Sequence, residues 1–406
     1  MAYTSEHRSK WGSKATLLLC SCDSNALGSE MTPILAVIAM AFPGEDVSLL
    51  VALPPLFIIP ATFIAGWAAR RISRKTILTI GQLLFIIGGL GGAFVDSYEL
   101  LIATRVFFGL GCGLVYTTVP TLISYFYKGQ ERVQMMGLAN AVGSIIAMTF
   151  SVISGTLAVI GWHFPFYINI FFIFVLIMQL VFLPKVPPEN QLESVKKADT
   201  LTKQERSFGY RTWACILLMF TSMTMSMVYL VRLAMFMQQN NIGDSVMAGF
   251  ASSATTGTAL IVALLFPIIF KKLGRYTLII SIGAIAVSYT LLSMATTAPM
   301  LFAGCIVFGL YLATLIPALQ TLVSGLVHPY RRTWALSILT TALFAGQACA
   351  SLFVNFIGSI VGDVIANQFL AMAVIFGVML AVVVIFLLVT RNKAELPYAN
   401  VTDLDD

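Results

Sequence analysis

Ala103-Thr-Arg-Val-Phe-Phe-Gly-Leu110 recurs about 200 residues later as Ala303-Gly-Cys-Ile-Val-Phe-Gly-Leu310, inside another long apolar run. A basic turn recurs in nearly the same register, as Arg70-Arg-Ile-Ser-Arg74 and Lys271-Lys-Leu-Gly-Arg275. Chance similarity between apolar stretches is the alternative, and the repeated charged turn argues against it. The sequence therefore predicts two copies of one structural unit.

Composition places most of the chain inside a membrane. Of the 406 residues, 58% are hydrophobic and only 10% are charged, whereas soluble proteins carry about 25% charged residues. Apolar runs of about 18 residues or more recur from end to end, a length typical of membrane-spanning helices. We predict an all-α integral membrane fold with twelve spans. The connecting segments are too short to fold a soluble catalytic domain, so we do not expect an enzyme.

Charged residues indicate how the spans are oriented. Apart from Arg105 and Arg232, the 24 basic residues fall in segments that we assign to the cytoplasm, where basic residues concentrate in membrane proteins. The external loops carry acidic residues instead, such as Glu45, Asp96 and Asp244. Both termini are thereby predicted to be cytoplasmic. Because this segregation accounts for the net charge of +6, nucleic acid is not an expected partner.

The longest polar stretch separates the two copies, and it runs from Pro184 to Arg211. We predict a six-helix bundle at 1–184, a cytoplasmic linker at 185–210, a second six-helix bundle at 211–390 and a cytoplasmic tail at 391–406. Parallel six-span repeats with a binding site at their interface are a known transporter architecture. Short loops and the absence of extracytoplasmic domains suit a bacterial inner membrane.

Two motifs resemble the major facilitator superfamily, and the likeness covers essentially the whole chain. The loop from Gly66 to Lys75, Gly-Trp-Ala-Ala-Arg-Arg-Ile-Ser-Arg-Lys, is similar to the family signature Gly-x-x-x-Asp-Arg/Lys-x-Gly-Arg/Lys-Arg/Lys. It departs from that signature at Arg70 and Ser73. The fourth span has an Arg-x-x-x-Gly-x-Gly motif beginning at Arg105, which is similar to one associated with proton-coupled drug antiporters. The fifth span lacks the Gly-Pro pair of those antiporters.

The resemblance implies a fold of twelve transmembrane helices in two pseudo-symmetric halves that rock to give alternating access. It also implies that the first, fourth, seventh and tenth helices line a central cavity. The residues of a cytoplasmic gate motif would be Gly66, Arg70, Arg71, Arg74 and Lys75. Because an acidic residue at position 70 helps to latch the halves together in the family, Arg70 puts this latch in doubt.

Four charged residues are predicted inside the membrane: Asp23, Glu30, Arg105 and Arg232. Charged groups there are costly, so each is a functional candidate. Asp23 and Glu30 share a face of the first span, and Pro33 predicts a kinked, partly unwound helix beside Glu30. Estimated depths favour Glu30 over Asp23 as the partner of Arg105.

These charges have two interpretations each. Glu30 and Arg105 would form either a switchable proton-coupling pair or a static salt bridge that fixes helix packing. Asp23 would either carry protons or lie near the cytoplasmic end of its helix with its carboxylate reaching toward water. Since no histidine lies inside a predicted span, carboxylates are the evident proton carriers.

Substrate contacts are predicted mainly on the seventh span. Arg232 shares a helix face with Met225 and Tyr229. It would either bind an anionic substrate group or balance the negative charge of the carboxylates in the first span. Further candidate residues that would contact solute are Tyr116, Asn140 and Gln347. Interhelical hydrogen bonding is the alternative for each of these polar side chains.

The leading hypothesis is a proton-coupled multidrug antiporter in which Glu30, Asp23 and Arg105 couple protons to export. The alternative is uptake or exchange of a small organic anion held by Arg105 and Arg232. A membrane-bound enzyme and a non-transporting receptor are the readings from other functional classes. We expect no cofactor besides the coupling proton, no metal, a small-molecule solute and the lipid bilayer as partners, and a monomer.

Overall fold

Helices, nearly all of them α-helices, account for 86% of the structure, with no strand among the residues described. The computed structural model describes residues 11–22, 30–69, 71–127, 129–184, 186, 208–327 and 332–389. The helices of the first part are α1 (Trp11–Cys20), α2 (Leu35–Ala41), α3 (Leu49–Ala69), α4 (Arg74–Gly91), α5 (Tyr98–Phe126), α6 (Gly129–Leu157) and α7 (Phe171–Phe182), the last preceded by a 3₁₀ turn at Phe164–Ile170.

The second part continues with α8 (Tyr210–Gln239), α9 (Ser245–Leu273), α10 (Thr277–Ser293), α11 (Ala298–Leu326), α12 (Arg332–Ala348), α13 (Ala350–Val361) and α14 (Ile365–Val389). A 3₁₀ turn at Gly274–Tyr276 precedes α10. The chain divides into two compact units, Met1–Glu193 with Leu233–Ser253, and Ser194–Arg232 with Ala254–Asp406. Most of the predicted linker, residues 187–207, lies outside the described residues, and the domain boundaries stay predictions.

Eight helical stretches in the described part are long and apolar enough to cross a membrane, or nine if the bent pair α12 and α13 is one span. Three features separate this number from the predicted twelve. The first predicted span is divided between α1 and α2, and α9 and α10 are counted together as Ser245–Ser293. In addition, α4 begins with Arg74 and Lys75, which lower its hydropathy. The predicted all-α membrane fold is confirmed.

The internal repeat of the sequence is also visible in how each unit packs. A Cβ atom built on Gly109 of α5 would lie 2.5 Å from the carbonyl oxygen of Pro54 in α3. A Cβ on Gly309 of α11 would likewise lie 2.3 Å from the carbonyl oxygen of Thr255 in α9. Small residues allow such close helix packing in membranes. Each unit therefore uses a glycine at corresponding positions to bring two helices together.

Candidate functional site: a buried ion pair in the first unit

Glu30 lies in the break that divides the first predicted span. Residues 30–34 form turns rather than helix, and α2 begins at Leu35. Proline in the interior of a helix removes a backbone hydrogen bond and favours such a break, here at Pro33. Glu30 is only 1% exposed. Its backbone carbonyl accepts a hydrogen bond of 2.5 Å from the Ser154 hydroxyl of α6, which fixes the turn within the unit.

Arg105 of α5 is fully buried and lies beside this carboxylate. Its Nη1 atom is 3.6 Å from Glu30 Oε1, which is an ion-pair distance but too long for a hydrogen bond. Arg105 Nη2 donates a hydrogen bond of 2.9 Å to the carbonyl oxygen of Gly88 in α4. The guanidinium also lies 5.0 Å from the ring centres of both Phe108 and Phe166, within cation–π range. The arginine thus has partners that do not depend on the carboxylate.

Asn169 completes the cluster from the 3₁₀ turn before α7. Its Nδ2 atom donates a hydrogen bond of 2.9 Å to Glu30 Oε2 and another of 3.2 Å to the backbone carbonyl oxygen of Phe166. The side chain is fully buried. Our sequence analysis did not name Asn169 as a site residue, although a carboxamide within an apolar span is itself a signal for a hydrogen-bonded partner.

Two adjacent glycines of α4 make room for the cluster. A Cβ on Gly88 would lie 2.2 Å from the backbone nitrogen of Phe108, so only glycine allows α4 to approach α5 this closely. A Cβ on Gly89 would lie 2.6 Å from Cγ of Asn169. Gly88 therefore brings a carbonyl oxygen within reach of Arg105, and Gly89 leaves space for the carboxamide. The place of these glycines beside the ion pair was not predicted from the sequence.

Several polar atoms of the cluster have hydrogen-bonding capacity that is not used. Glu30 Oε1, Arg105 Nε and Nη1, and Asn169 Oδ1 are buried without a hydrogen-bond partner among the described residues. Buried polar atoms in this condition are uncommon and call for a physical explanation. A group that changes its proton occupancy needs spare donors and acceptors nearby, because its hydrogen bonds must differ between the two states. The cluster has both.

The second unit has an uncharged counterpart at the corresponding positions. Tyr229 of α8 stacks on Phe308 with ring centres 3.9 Å apart and shares a hydrogen bond of 2.6 Å with Thr255. Phe308 corresponds to Phe108 in the repeat, and Cys305 stands where the first unit has Arg105. Tyr229 is fully buried, so it contributes to helix packing in this structure rather than to an open surface.

A tyrosine hydroxyl of α10 is inserted between two backbone groups of α8, next to this stack. Tyr289 of α10 accepts a hydrogen bond of 3.1 Å from the backbone nitrogen of Tyr229 and donates one of 3.0 Å to the carbonyl oxygen of Met225. These are the two backbone groups that an undisturbed α-helix joins directly. Insertion of a side chain into this ladder is a known cause of helix bending. Met225 itself is half-buried.

The other predicted substrate residues lie in different surroundings. Arg232 is half-buried, and its Nη2 atom would be 3.9 Å from a Cβ built on Gly358 of α13. Tyr116 and Gln347 are half-buried, and Asn140 is exposed. Their roles stay predictions. Asp23, predicted as a second proton carrier, lies outside the described residues.

The predicted gate motif is divided among several environments. Gly66 is exposed, Arg74 is buried, and the Arg71 guanidinium lies 4.4 Å from the ring centre of Trp67. Lys75 Nζ donates a hydrogen bond of 2.8 Å to the carbonyl oxygen of Leu180 and another to that of Leu183, at the end of α7. Arg70 lies outside the described residues.

No group of three or more metal-ligating side chains occurs within the described ranges.

Comparison with known proteins identifies the family. A sequence model described as "Major Facilitator Superfamily" matches residues 17–287 and, overlapping this, residues 216–402. The chain belongs to the Major Facilitator Superfamily. This is a family of transporters rather than of enzymes, and its member here is a multi-pass membrane protein.

Curated relatives match this superfamily member only in segments. The arabinose-proton symporter of Escherichia coli (strain K12) is 37% identical over 73 residues, which are 18% of this chain and 16% of that protein. The cis,cis-muconate transport protein of Acinetobacter baylyi is 26% identical over 140 residues, 32% of this chain and 34% of that protein. The matches thus span about a third of these relatives at most.

A solved structure matches nearly the whole chain. The crystal structure of nucleoside transporter NupG superimposes with a TM-score of 0.73 over 93% of this chain and 99% of that one, at 16% sequence identity. At this identity the likeness shows the fold alone. The Major Facilitator fold is therefore established for the chain as a whole, whereas the likeness in sequence is local.

Proposed function

We propose that this protein is a proton-coupled transporter that takes up a small polar metabolite across a bacterial inner membrane. The observation that carries the proposal is the buried pair of Glu30 and Arg105, around which several polar atoms have no hydrogen-bond partner among the residues described. Buried charges inside a membrane are costly and are retained mainly where they serve function. Alternating access would come from rocking of the two six-helix halves.

Both charge states of Glu30 have partners in this cluster, which supports a switch rather than a static bridge. With the carboxylate ionised, Arg105 lies 3.6 Å away and Asn169 Nδ2 donates to Oε2. With the carboxyl protonated, its O–H would become a donor, and Asn169 Oδ1 is a buried acceptor that has no hydrogen-bond partner in the part of the chain that the structure describes. Asn169 would therefore act as a positioning residue that serves both states.

Arg105 keeps other interaction partners when Glu30 is neutral. The Gly88 carbonyl oxygen and the rings of Phe108 and Phe166 remain as partners for the cation. A buried charge that loses its only partner is strongly destabilising, so these contacts lower the free-energy difference between the two states. This is the property that a proton carrier needs if it is to load and release within a transport cycle.

The relatives favour metabolite uptake over the multidrug antiport that the fourth-span motif suggested. Those described above are named for arabinose-proton symport and cis,cis-muconate transport, and the structural neighbour is named as a nucleoside transporter. Burial disfavours Arg105 as a direct substrate clamp, because its side chain is fully enclosed. Arg232 is half-buried, so it is the arginine that we assign to an anionic substrate group.

The test uses purified protein in liposomes that contain a pH-sensitive dye. We would add arabinose, cis,cis-muconate, uridine and tetraphenylphosphonium in turn, and follow the internal pH. Symport predicts internal acidification with at least one of the first three solutes and no response to the lipophilic cation. Glu30→Gln should abolish acidification but keep exchange of labelled solute between equal concentrations, because exchange needs no net proton movement.

The matched control is Glu99→Gln, which makes the same chemical change at an exposed carboxylate at the start of α5. It should leave acidification unchanged. Internal alkalinisation on adding tetraphenylphosphonium would restore the antiport hypothesis. Acidification that survives in Glu30→Gln would remove Glu30 as the carrier. If muconate is a substrate, Arg232→Gln should raise its KM roughly tenfold or more, as loss of a charged hydrogen bond implies.

A further inference from the structure

An apolar groove lies among α8, α10 and α14 in the second unit. It has a volume of about 270 Å³ and is lined by Leu217 and Leu218 of α8, Leu278 of α10, and Met379 and Val382 of α14, among others. Leu278 is in the first turn of α10, and the other residues come from the early turns of α8 and the late turns of α14. The groove is therefore at one end of these three helices.

The corresponding place in the first unit, among α1, α4 and α7, is closed by polar contacts. Gln179 Nε2 donates a hydrogen bond of 2.8 Å to Thr79 Oγ1, and the Ser13 hydroxyl donates one of 3.0 Å to the Phe182 carbonyl oxygen. A Cβ built on Gly12 would lie 2.5 Å from the Phe182 ring, so α1 and α7 are in tight contact.

Comparison of the two repeats indicates which side chains differ between the closed place in the first unit and the groove in the second. Gly81 lies against Leu114, and at the corresponding positions Ser281 donates to Thr314, so α4 and α10 are in the same register about 200 residues apart. Applying the same offset of about 200 residues to α7 and α14 pairs Gln179 with Met379 and Phe182 with Val382, and Thr79 of α4 pairs with Ile279. At these paired positions the second unit has neither the hydrogen-bonding side chains nor the phenyl ring of the first.

Hydrocarbon from the bilayer is the chemistry that suits this groove. Leu217 is 62% exposed and Val382 is 58% exposed on its rim, and both belong to helices that are long and apolar enough to span a membrane. The lining is almost entirely apolar, and an apolar space of this kind does not hold water. An extended acyl chain can enter from the side.

Arginine side chains lie at the same end of the helices. Arg211 precedes Ala214 and Leu218 by three and seven residues, which places it on the groove face of α8. Arg275 comes three residues before Leu278, in the 3₁₀ turn that precedes α10. Basic pockets between spanning helices bind anionic head groups. We propose that this groove binds one anionic glycerophospholipid, with an acyl chain against Met379 and Val382 and its phosphate held by Arg211 and Arg275.

Native mass spectrometry of the full-length protein in nanodiscs tests the proposal, with dioleoylphosphatidylglycerol and dioleoylphosphatidylcholine as probes. Wild type should retain one phosphatidylglycerol in preference to phosphatidylcholine. Arg211→Gln with Arg275→Gln should reduce that preference by roughly fivefold per arginine. The control, Lys271→Gln with Lys272→Gln, removes two exposed cations from the last turn of α9 and should keep it.

Val382→Phe restores the residue type that closes the first unit and should reduce retention of both lipids. A second readout needs no variant: Cys215 lines the groove, so its labelling by a membrane-permeant maleimide should slow in phosphatidylglycerol nanodiscs. The half-buried Cys349, outside the groove lining, is the internal reference. Three outcomes would overturn the proposal. Wild type could retain both lipids equally, the lysine control could lose the preference for phosphatidylglycerol as much as the arginine variant does, or the rate of Cys215 labelling could be independent of the lipid.

Discussion

Replacing Glu30 by glutamine should destabilise the protein less than replacing Arg105 by methionine, although both changes break the same ion pair. In Glu30→Gln the cation keeps the Gly88 carbonyl oxygen and the faces of Phe108 and Phe166. In Arg105→Met the buried carboxylate keeps, among the described residues, a single side-chain hydrogen bond, from Asn169. The remaining partners therefore differ in number between the two variants.

Typical energies give the size of this difference. Removing one partner of a buried ion pair costs about 3–5 kcal/mol when the other charge is left uncompensated. A hydrogen bond to a charged group contributes about 1.5–3 kcal/mol, and a desolvated cation–π contact contributes up to about 2 kcal/mol. We therefore expect Arg105→Met to lower the free energy of unfolding by the full amount for an uncompensated charge, about 3–5 kcal/mol. Glu30→Gln should lower it by about 2 kcal/mol less. For a unit of this size, that corresponds to roughly 4–8 °C in Tm.

Thermal unfolding in a mild detergent, followed by tryptophan fluorescence, measures both variants. Glu99→Gln is the control and should change the free energy of unfolding by less than about 0.5 kcal/mol. The double variant, Glu30→Gln with Arg105→Met, should lower the free energy of unfolding by less than the sum of the single changes, because it leaves neither charge of the pair buried without the other. If Glu30→Gln lowers Tm as much as Arg105→Met, the contacts around the arginine do not hold it independently, and the two-state mechanism loses its basis.

Further expectations concern the glycines and the tyrosine that shape each unit. Gly88→Ala would place a methyl group against backbone atoms and should lower Tm by several degrees, whereas Gly137→Ala, whose methyl group would meet no atom of the described residues within 4 Å, should not. The three atoms nearest to a Cβ on Gly89 all belong to the Asn169 side chain, so Gly89→Ala should lower proton-coupled uptake while Tm changes little. Unchanged uptake would argue against Asn169 as a positioning residue. Tyr289→Phe removes the hydroxyl that bridges two backbone groups of α8 and should cost about 1–3 kcal/mol of unfolding free energy. An unchanged Tm would mean that the helix closes its own hydrogen bond.

Much of the fold was predictable because apolar length and basic loops are local properties of the chain. The break at Pro33 was also predictable, since proline removes a hydrogen bond wherever a helix is attempted. The number of spans that the structure supports by length differs from the prediction where helices are short, bent or continuous, as in α1, α2 and Ser245–Ser293. Such features depend on packing rather than on composition.

By itself, the sequence determined the membrane class, the internal repeat and the short set of charges that a bilayer makes costly. It isolated Glu30 and Arg105 by subtraction, because few ionised groups are tolerated at that depth. Only the tertiary structure decided that Asn169 and Gly88 complete the cluster, and that one repeat is closed where the other has a groove. These contacts join residues far apart in the chain, and whether a carboxamide or a carbonyl oxygen meets a buried charge depends on helix register and separation, which no local pattern encodes.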